Sequence, residues 1–252
     1  APDLVIVGNA VSRDNPEVVG LLRSELDYVS FPQAVAKFFL ENKRRIVVAG
    51  THGKTTSTAM LAWILEQAGR LPGMLVGGIS RNFNSGYAIG EGGDFVIEGD
   101  EYDSAFFDKG PKFLHYLPSA LLLNAIEFDH ADIYTDLEQI KRAFSRLLDI
   151  VPGGAPIVAC NHYPEVRKVL EASGQSYETF GIGHSADWQA HDVLDDGSNT
   201  TFRVTRYGSE YGDFVSPLMG RMNVLNALGV IALCSHIEIS PTQAQAGLAN
   251  FR

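Results

Sequence analysis

One stretch constrains this chain more than any other. Gly50-Thr51-His52-Gly53-Lys54-Thr55-Thr56 stands directly behind the apolar run Ile46-Val47-Val48-Ala49 and ahead of a helical stripe of Met60, Leu61, Ile64, Leu65 and Ala68, closed by Gly69. An unbroken apolar run bounded by Gly reads as a strand buried on both faces. Glycines in the loop let backbone N–H groups turn inward, and the following helix adds partial positive charge at its N-terminus. Strand, loop and helix together form a cradle for phosphate oxygens. Lys54 is placed to reach the β- and γ-phosphates as a point charge, and the Thr55 hydroxyl to ligate magnesium. The spacing is shorter than the usual P-loop, which has a Gly five residues before Gly53, where this sequence has Val48. The expected nucleotide contacts are Gly50, Thr51, His52, Gly53, Lys54, Thr55 and Thr56.

The surrounding pattern predicts an α/β fold. Further buried strands are expected at Phe95–Glu98, Ala120–Asn124 and Pro156–Cys160. A helix follows Asp132, with Thr135 and Glu138 as a capping box and Leu137, Ile140, Phe144, Leu147 and Leu148 at helical spacing. Apolar strands alternating with amphipathic helices imply a mostly parallel sheet covered on both faces, P-loop ATPase-like in plan. Residues 187–217 differ: Asp195-Asp196-Gly197-Ser198-Asn199 precedes the alternating run Thr201–Thr205, a hairpin signal. Helices are expected near Asn223 and Pro241.

Residues 1–44 read as strand, loop, helix, short strand, helix. Asn15-Pro16-Glu17 starts the first helix, and the second begins near Pro32 with Val35, Phe38 and Phe39 on one face. This is a partial N-terminal α/β domain, with 45–252 as the central nucleotide-binding domain. The chain starts at Ala1 almost inside a strand and stops at Arg252 without a linker. An absent upstream segment and an absent C-terminal domain are therefore expected.

The charge balance bears on partners. Net charge is −10 and no Lys/Arg run exceeds Lys43-Arg44-Arg45, which gives no support for binding nucleic acid. No apolar run approaches the roughly 18 residues of a membrane span, and there is no signal-peptide pattern. Cys160 and Cys234 form no close-spaced pair and read as reduced core thiols of a cytoplasmic protein.

Two more strand ends carry chemistry. Phe95-Val96-Ile97 runs into Glu98, Asp100, Glu101 and Asp103. Crowded carboxylates repel one another unless a cation compensates, and Mg²⁺ at a strand end is the natural partner; a solvated acidic loop is the alternative. Leu121-Leu122-Leu123 leads to Glu127, Asp129, His130 and Asp132. A lone His is more often structural than a ligand, but its place between a strand end and a helix start favours a metal or phosphate role for His130. In a parallel sheet the three strand ends lie along one edge, making an ATP and metal site.

The runs GTHGKTT, VIEGDEYDSAFFD, LLLNAIEFDHADIY and GRMNVLNALGVIAL resemble the Mur ligases of peptidoglycan metabolism. The element FFDKGPKFLHY is similar to the branch that attaches a whole peptide rather than L-alanine, and VGNAVSRDNPEV resembles the end of that branch's UDP-binding domain. The resemblance implies an ATP- and Mg²⁺-dependent ligase joining UDP-N-acetylmuramic acid to the tripeptide L-Ala-γ-D-Glu-meso-diaminopimelate through an acyl phosphate, in cell-wall recycling. It implies that Lys54 and Thr55 bind phosphates and magnesium, that Glu98 and His130 hold metal ions, and that Asn223 lies near the adenine. Lys54, Glu98 and His130 are thus the expected catalytic residues. Met222 stands where the family commonly has His, and Ser145 stands near the place of a carbamylated lysine in several relatives, so no such lysine is assigned. Rival readings are a folylpolyglutamate-synthase-like ligase, a P-loop kinase or NTPase, and a fragment that binds ATP without catalysis.

Overall fold

The computed structural model describes residues 2–128, 134, 136–183 and 185–252. Strands β1 (Val5–Val7) and β2 (Tyr28–Ser30) pair in parallel, with α1 (Pro16–Leu22) between them and α2 (Phe31–Phe39) behind. Asn15 caps α1, its side chain accepting the Glu17 N–H at 2.9 Å. Ser30 and Gln33 form a capping box that starts α2. The expected apolar face of α2 is only partly inside. Val35 is buried, but Phe38 and Phe39 are 54% and 44% exposed. Helical spacing marks a face without showing how far its neighbours reach across it.

The remaining strands form one sheet. They are β3 (Arg44–Ala49), β4 (Gly73–Ser80), β5 (Ser85–Ala88), β6 (Asp94–Gly99), β7 (Ala120–Leu123), β8 (Ile157–Cys160), β9 (Glu178–Ile182), β10 (Trp188–Asp195), β11 (Thr200–Arg206) and β12 (Ser209–Ser216). Their spatial order is β12-β11-β10-β9-β8-β7-β3-β6-β4-β5. Every neighbouring pair from β10 to β4 is parallel, while β5 and the β11–β12 hairpin make antiparallel edges. The helices over this sheet are α3 (Lys54–Gln67), α4 (Leu137–Asp149), α5 (Pro164–Ser173), α6 (Arg221–His236) and α7 (Pro241–Ala249).

Strand β3 shows why its sequence is continuously apolar. Ile46 and Val48 enter one core with Met60, Leu61, Leu228 and Leu248. Val47 and Ala49 enter the opposite core with Val35, Ile140, Phe144 and Leu147. Both faces are covered, so alternation disappears. Helix α3 is buried on more than a stripe: Ser57, Thr58, Ala59 and Ala62 are buried as well, because α6 and α7 pack against it. The start of α4 also differs from expectation. Its N-cap is Asp136, which accepts the Gln139 N–H at 2.8 Å, rather than Thr135 paired with Glu138. Aspartate is a strong N-cap, and the helix takes the cap one residue later. Thr135 lies outside the described residues.

Cys160 and Cys234 are free and buried. No helix among the described residues is long and apolar enough to cross a membrane.

Candidate active site

Ala49 at the end of β3 stands in register with Gly99 of β6 on one side and Leu123 of β7 on the other. The segments 50–56, 98–103 and 124–127 therefore leave the sheet side by side.

The loop after β3 is shaped by two glycines. Gly50 has φ +133, and a Cβ there would lie 2.7 Å from the Ala125 nitrogen. Gly53 caps α3 at φ +78, where a Cβ would meet Asn226 Oδ1 at 2.5 Å. Only glycine fits either place. Lys54 folds back over the loop, its Nζ donating to the Gly50 carbonyl at 2.7 Å and lying 2.9 Å from Glu101 Oε2. Burial pushes the Glu101 carboxyl up, against the pull of the Lys54 ammonium.

The acids after β6 do not share one cation. Lys112 pairs with Asp100 at 2.6 Å, Lys54 with Glu101 at 2.9 Å and Lys109 with Asp103 at 2.8 Å. Glu98 is held differently. The Thr55 hydroxyl lies 3.0 Å from both of its oxygens, and the Gly77 N–H donates to Oε2 at 2.7 Å. Lysines thus relieve most of the expected repulsion, and among the described residues Glu98 and Thr55 remain as the expected metal donors that touch each other. Nearby Tyr116 is buried, which together with the charges of Asp100 and Glu98 raises its hydroxyl pKa above the ordinary range. Among the described residues no three His, Cys, Asp or Glu side chains form a metal cluster. His130 lies outside the described residues.

Thr51 turns away from the loop mouth. It is buried, its N–H donates to the Ala125 carbonyl at 2.8 Å, and its hydroxyl accepts the Glu127 N–H at 3.2 Å. It fastens the loop to the segment after β7. His52 Nε2 stands 3.4 Å from Glu127 Oε2. His52, Gly53 and Thr56 line a cavity of about 260 Å³ with Asn124, Tyr163, Phe180, Met222, Leu225 and Asn226. Asn223 is not among its walls; its side-chain amide donates to the Met219 carbonyl at 2.8 Å. Met222 and Asn226, four apart on α6, share the face that meets the loop. That spacing was readable in GRMNVLNALG, but nothing local distinguished Asn226 from Asn223. Glu101 and Lys112 carried no sequence signal of their partners. Ser145 sits on α4 with its hydroxyl donated to the Lys141 carbonyl at 3.0 Å.

The arrangement offers a loop shaped by glycines, a lysine anchored over it, a hydroxyl and carboxylate at its edge, and a part-apolar cavity of about 260 Å³ beside it. The Mur ligase middle domain model matches residues 95–234, more than half of the chain. The chain belongs to the Mur ligase family. Among curated Mur ligases it is 42% identical over 250 residues to the UDP-N-acetylmuramate--L-alanyl-gamma-D-glutamyl-meso-2,6-diaminoheptandioate ligase of Escherichia coli, covering 99% of this chain and 54% of that protein. The ligase of the same name from Haemophilus influenzae is 39% identical, with 100% of this chain and 55% of that protein covered. The chain thus spans about half the length of the curated relatives it matches. Among solved structures, the corresponding ligase from Neisseria meningitides aligns at a TM-score of 0.91 and 38% identity, covering 99% of this chain and 79% of that one. At 16–18% identity, Acinetobacter baumannii MurF and an L. casei FPGS mutant share the fold, with TM-scores of 0.72 and 0.70.

Proposed function

We propose that this chain is the ATP-binding part of a cytoplasmic Mur ligase that joins UDP-N-acetylmuramic acid to L-Ala-γ-D-Glu-meso-diaminopimelate in peptidoglycan recycling. The observation that carries the reading is the convergence of Lys54, Thr55 and Glu98 at adjoining strand ends. The names of the relatives supply the substrates.

The inward-facing loop and the start of α3 would hold the ATP phosphates, with Lys54 balancing their charge. The adenine would enter the cavity between Tyr163, Phe180 and Asn226. The Thr55 hydroxyl and Glu98 carboxylate are hard oxygen donors in contact with each other, and this suits Mg²⁺. When bound, Mg²⁺ would neutralise charge on the transferring phosphoryl group. The lactyl carboxylate would attack the γ-phosphorus of ATP as ADP leaves. The tripeptide amine would then attack the acyl carbon, forming the C–N bond as phosphate leaves and the amine gives up a proton. The protein's share is positioning and charge balance. Residues 1–44 would be the end of the UDP-substrate domain and 45–252 the ATP domain; alone they would bind ATP without ligation.

Phosphate release by the full-length protein tests this, with ATP, Mg²⁺ and UDP-N-acetylmuramic acid, with and without the tripeptide. Release that needs both substrates and is lost in Lys54→Ala is expected. Release indifferent to the peptide would point to an NTPase or kinase, and release that needs a folate would point to the folylpolyglutamate-synthase-like reading.

A further inference from the structure

The FFDKGPKFLHY element is not used by the phosphate site, yet it is built with care. Ser104 N–H donates to the Gly110 carbonyl, Lys112 N–H donates to the Tyr102 carbonyl, and Ala105 and Asp108 exchange backbone hydrogen bonds at 3.1 and 3.2 Å. Asp103 and Pro111 add an antiparallel bridge. Residues 102–112 are therefore a hairpin standing on the end of β6.

The two ends of this hairpin touch different parts of the molecule. At its base, Glu101 holds the phosphate-loop lysine, and the Tyr134 hydroxyl donates to the Glu101 carbonyl at 2.6 Å. At its tip, Asp108 Oδ2 accepts the Ser30 hydroxyl at 2.6 Å, and His115 Nε2 lies 2.9 Å from the same oxygen. Phe107 packs edge-on against Tyr28, with ring centroids 4.9 Å apart. Ser30 is also the N-cap of α2, so its position sets where that helix begins.

What α2 begins with matters for the reaction. Its first residue, Phe31, walls a cavity of about 140 Å³ whose other walls include Gly77, Glu98, Lys112 and Tyr116. This cavity opens on Glu98, next to Thr55, and one wall comes from the N-terminal segment. In the function proposed above, a carboxylate carried by the N-terminal segment would approach the phosphoryl group through this space.

We propose that Asp108 is a positioning residue: by holding Ser30 it sets the Phe31 wall of this cavity, and so the place where the carboxylate substrate meets the phosphate loop. The role rests on the function proposed above. Asp108 would touch no reacting atom, and in the proposed function the ATP phosphates would lie at the loop before α3, away from it.

The test uses the full-length protein and its Ser30→Ala, Asp108→Ala and Asp108→Asn variants. For each, KM for UDP-N-acetylmuramic acid, KM for ATP, kcat and Tm are measured. Asp108→Ala and Ser30→Ala are expected to raise KM for the carboxylate substrate on the order of ten- to a hundredfold, the range a lost hydrogen bond to a charged group covers, while KM for ATP stays within about twofold. Asp108→Asn keeps an acceptor for the Ser30 hydroxyl and should recover most of the loss. The effects of the two alanine variants should be less than additive in the double variant, since both lose the Ser30–Asp108 contact while Ser30→Ala also loses the α2 cap and Asp108→Ala the His115 contact. Equal rises in both KM values, additive single effects, or a lowered Tm with unchanged KM would overturn the role given to Asp108. A wild-type protein that releases no phosphate with these substrates would overturn the functional reading itself, and this role with it.

Discussion

The Lys54 ammonium faces the Glu101 carboxylate at 2.9 Å, with the Glu101 side chain fully enclosed and that of Lys54 only 11% exposed. An enclosed pair of this kind adds little net stability, but removing one partner strands the other. Lys54→Ala should therefore destabilise the fold by about 3–5 kcal/mol near pH 8 as well as abolish turnover. Burial already pushes the Glu101 carboxyl up, and loss of Lys54 pushes it further. A folded pKa above the unfolded one favours the fold at low pH and loses that advantage as pH rises. The deficit in Tm should accordingly be smaller at pH 5 than at pH 8, which a pair of thermal melts would check.

Glu98 and Thr55 make a shared oxygen site, with the hydroxyl 3.0 Å from both carboxylate oxygens. Glu98→Gln keeps the shape and removes the charge. Turnover should fall on the order of 10²- to 10³-fold, as for other groups that balance transition-state charge, with a raised Mg²⁺ requirement in phosphate-release titrations. Thr55→Ser should retain most activity and Thr55→Val little.

Gly53 admits no side chain, since a Cβ would sit 2.5 Å from Asn226 Oδ1 at a φ of +78. Gly53→Ala is expected to cost about 1–2 kcal/mol from the backbone conformation alone, and more from the displaced Asn226. Calorimetry with a non-hydrolysable ATP analogue should show weakened binding alongside the lowered Tm.

Asn226 lines the cavity beside the loop, whereas the Asn223 amide is spent on the Met219 carbonyl. Asn226→Ala should raise KM for ATP more than Asn223→Ala does. Steady-state kinetics on both variants would decide which asparagine serves the nucleotide.

At the start of β9, two residues before Phe180, burial would raise the Glu178 carboxyl, but hydrogen bonds from Arg206, Trp188 and Tyr207 outweigh it and hold the pKa at about 2. A folded pKa below the ordinary value contributes stability that is present above about pH 4.5 and lost as pH falls through about 2. Glu178→Gln should lower stability at pH 7 by on the order of 2 kcal/mol. It should also flatten the acid limb of a urea-stability profile.

Much of the parallel sheet was legible because buried strands and helices announce themselves by composition. Strand β3 and helix α3 are where Ile46–Ala49 and Met60–Leu65 predict them. Strand β4 was not legible: Gly73–Ser80 carries three glycines, and its pairing with β6 depends on a partner remote in sequence. The exposed rings of Phe38 and Phe39 and the cap at Asp136 escaped for a similar reason, since coverage and competition between caps are settled by neighbours.

By itself the sequence determined the α/β class, the glycine-bounded loop between β3 and α3 and which strand ends bear acids, because these follow from local spacing and backbone chemistry. Only the tertiary structure decided how those acids divide their work. Glu98 turned to Thr55, Glu101 to Lys54, Asp100 to Lys112 and Asp103 to Lys109. It also set Asp108 against Ser30, 78 residues away in the chain. Such pairings depend on distances created when strands and hairpins pack, and no local periodicity encodes them.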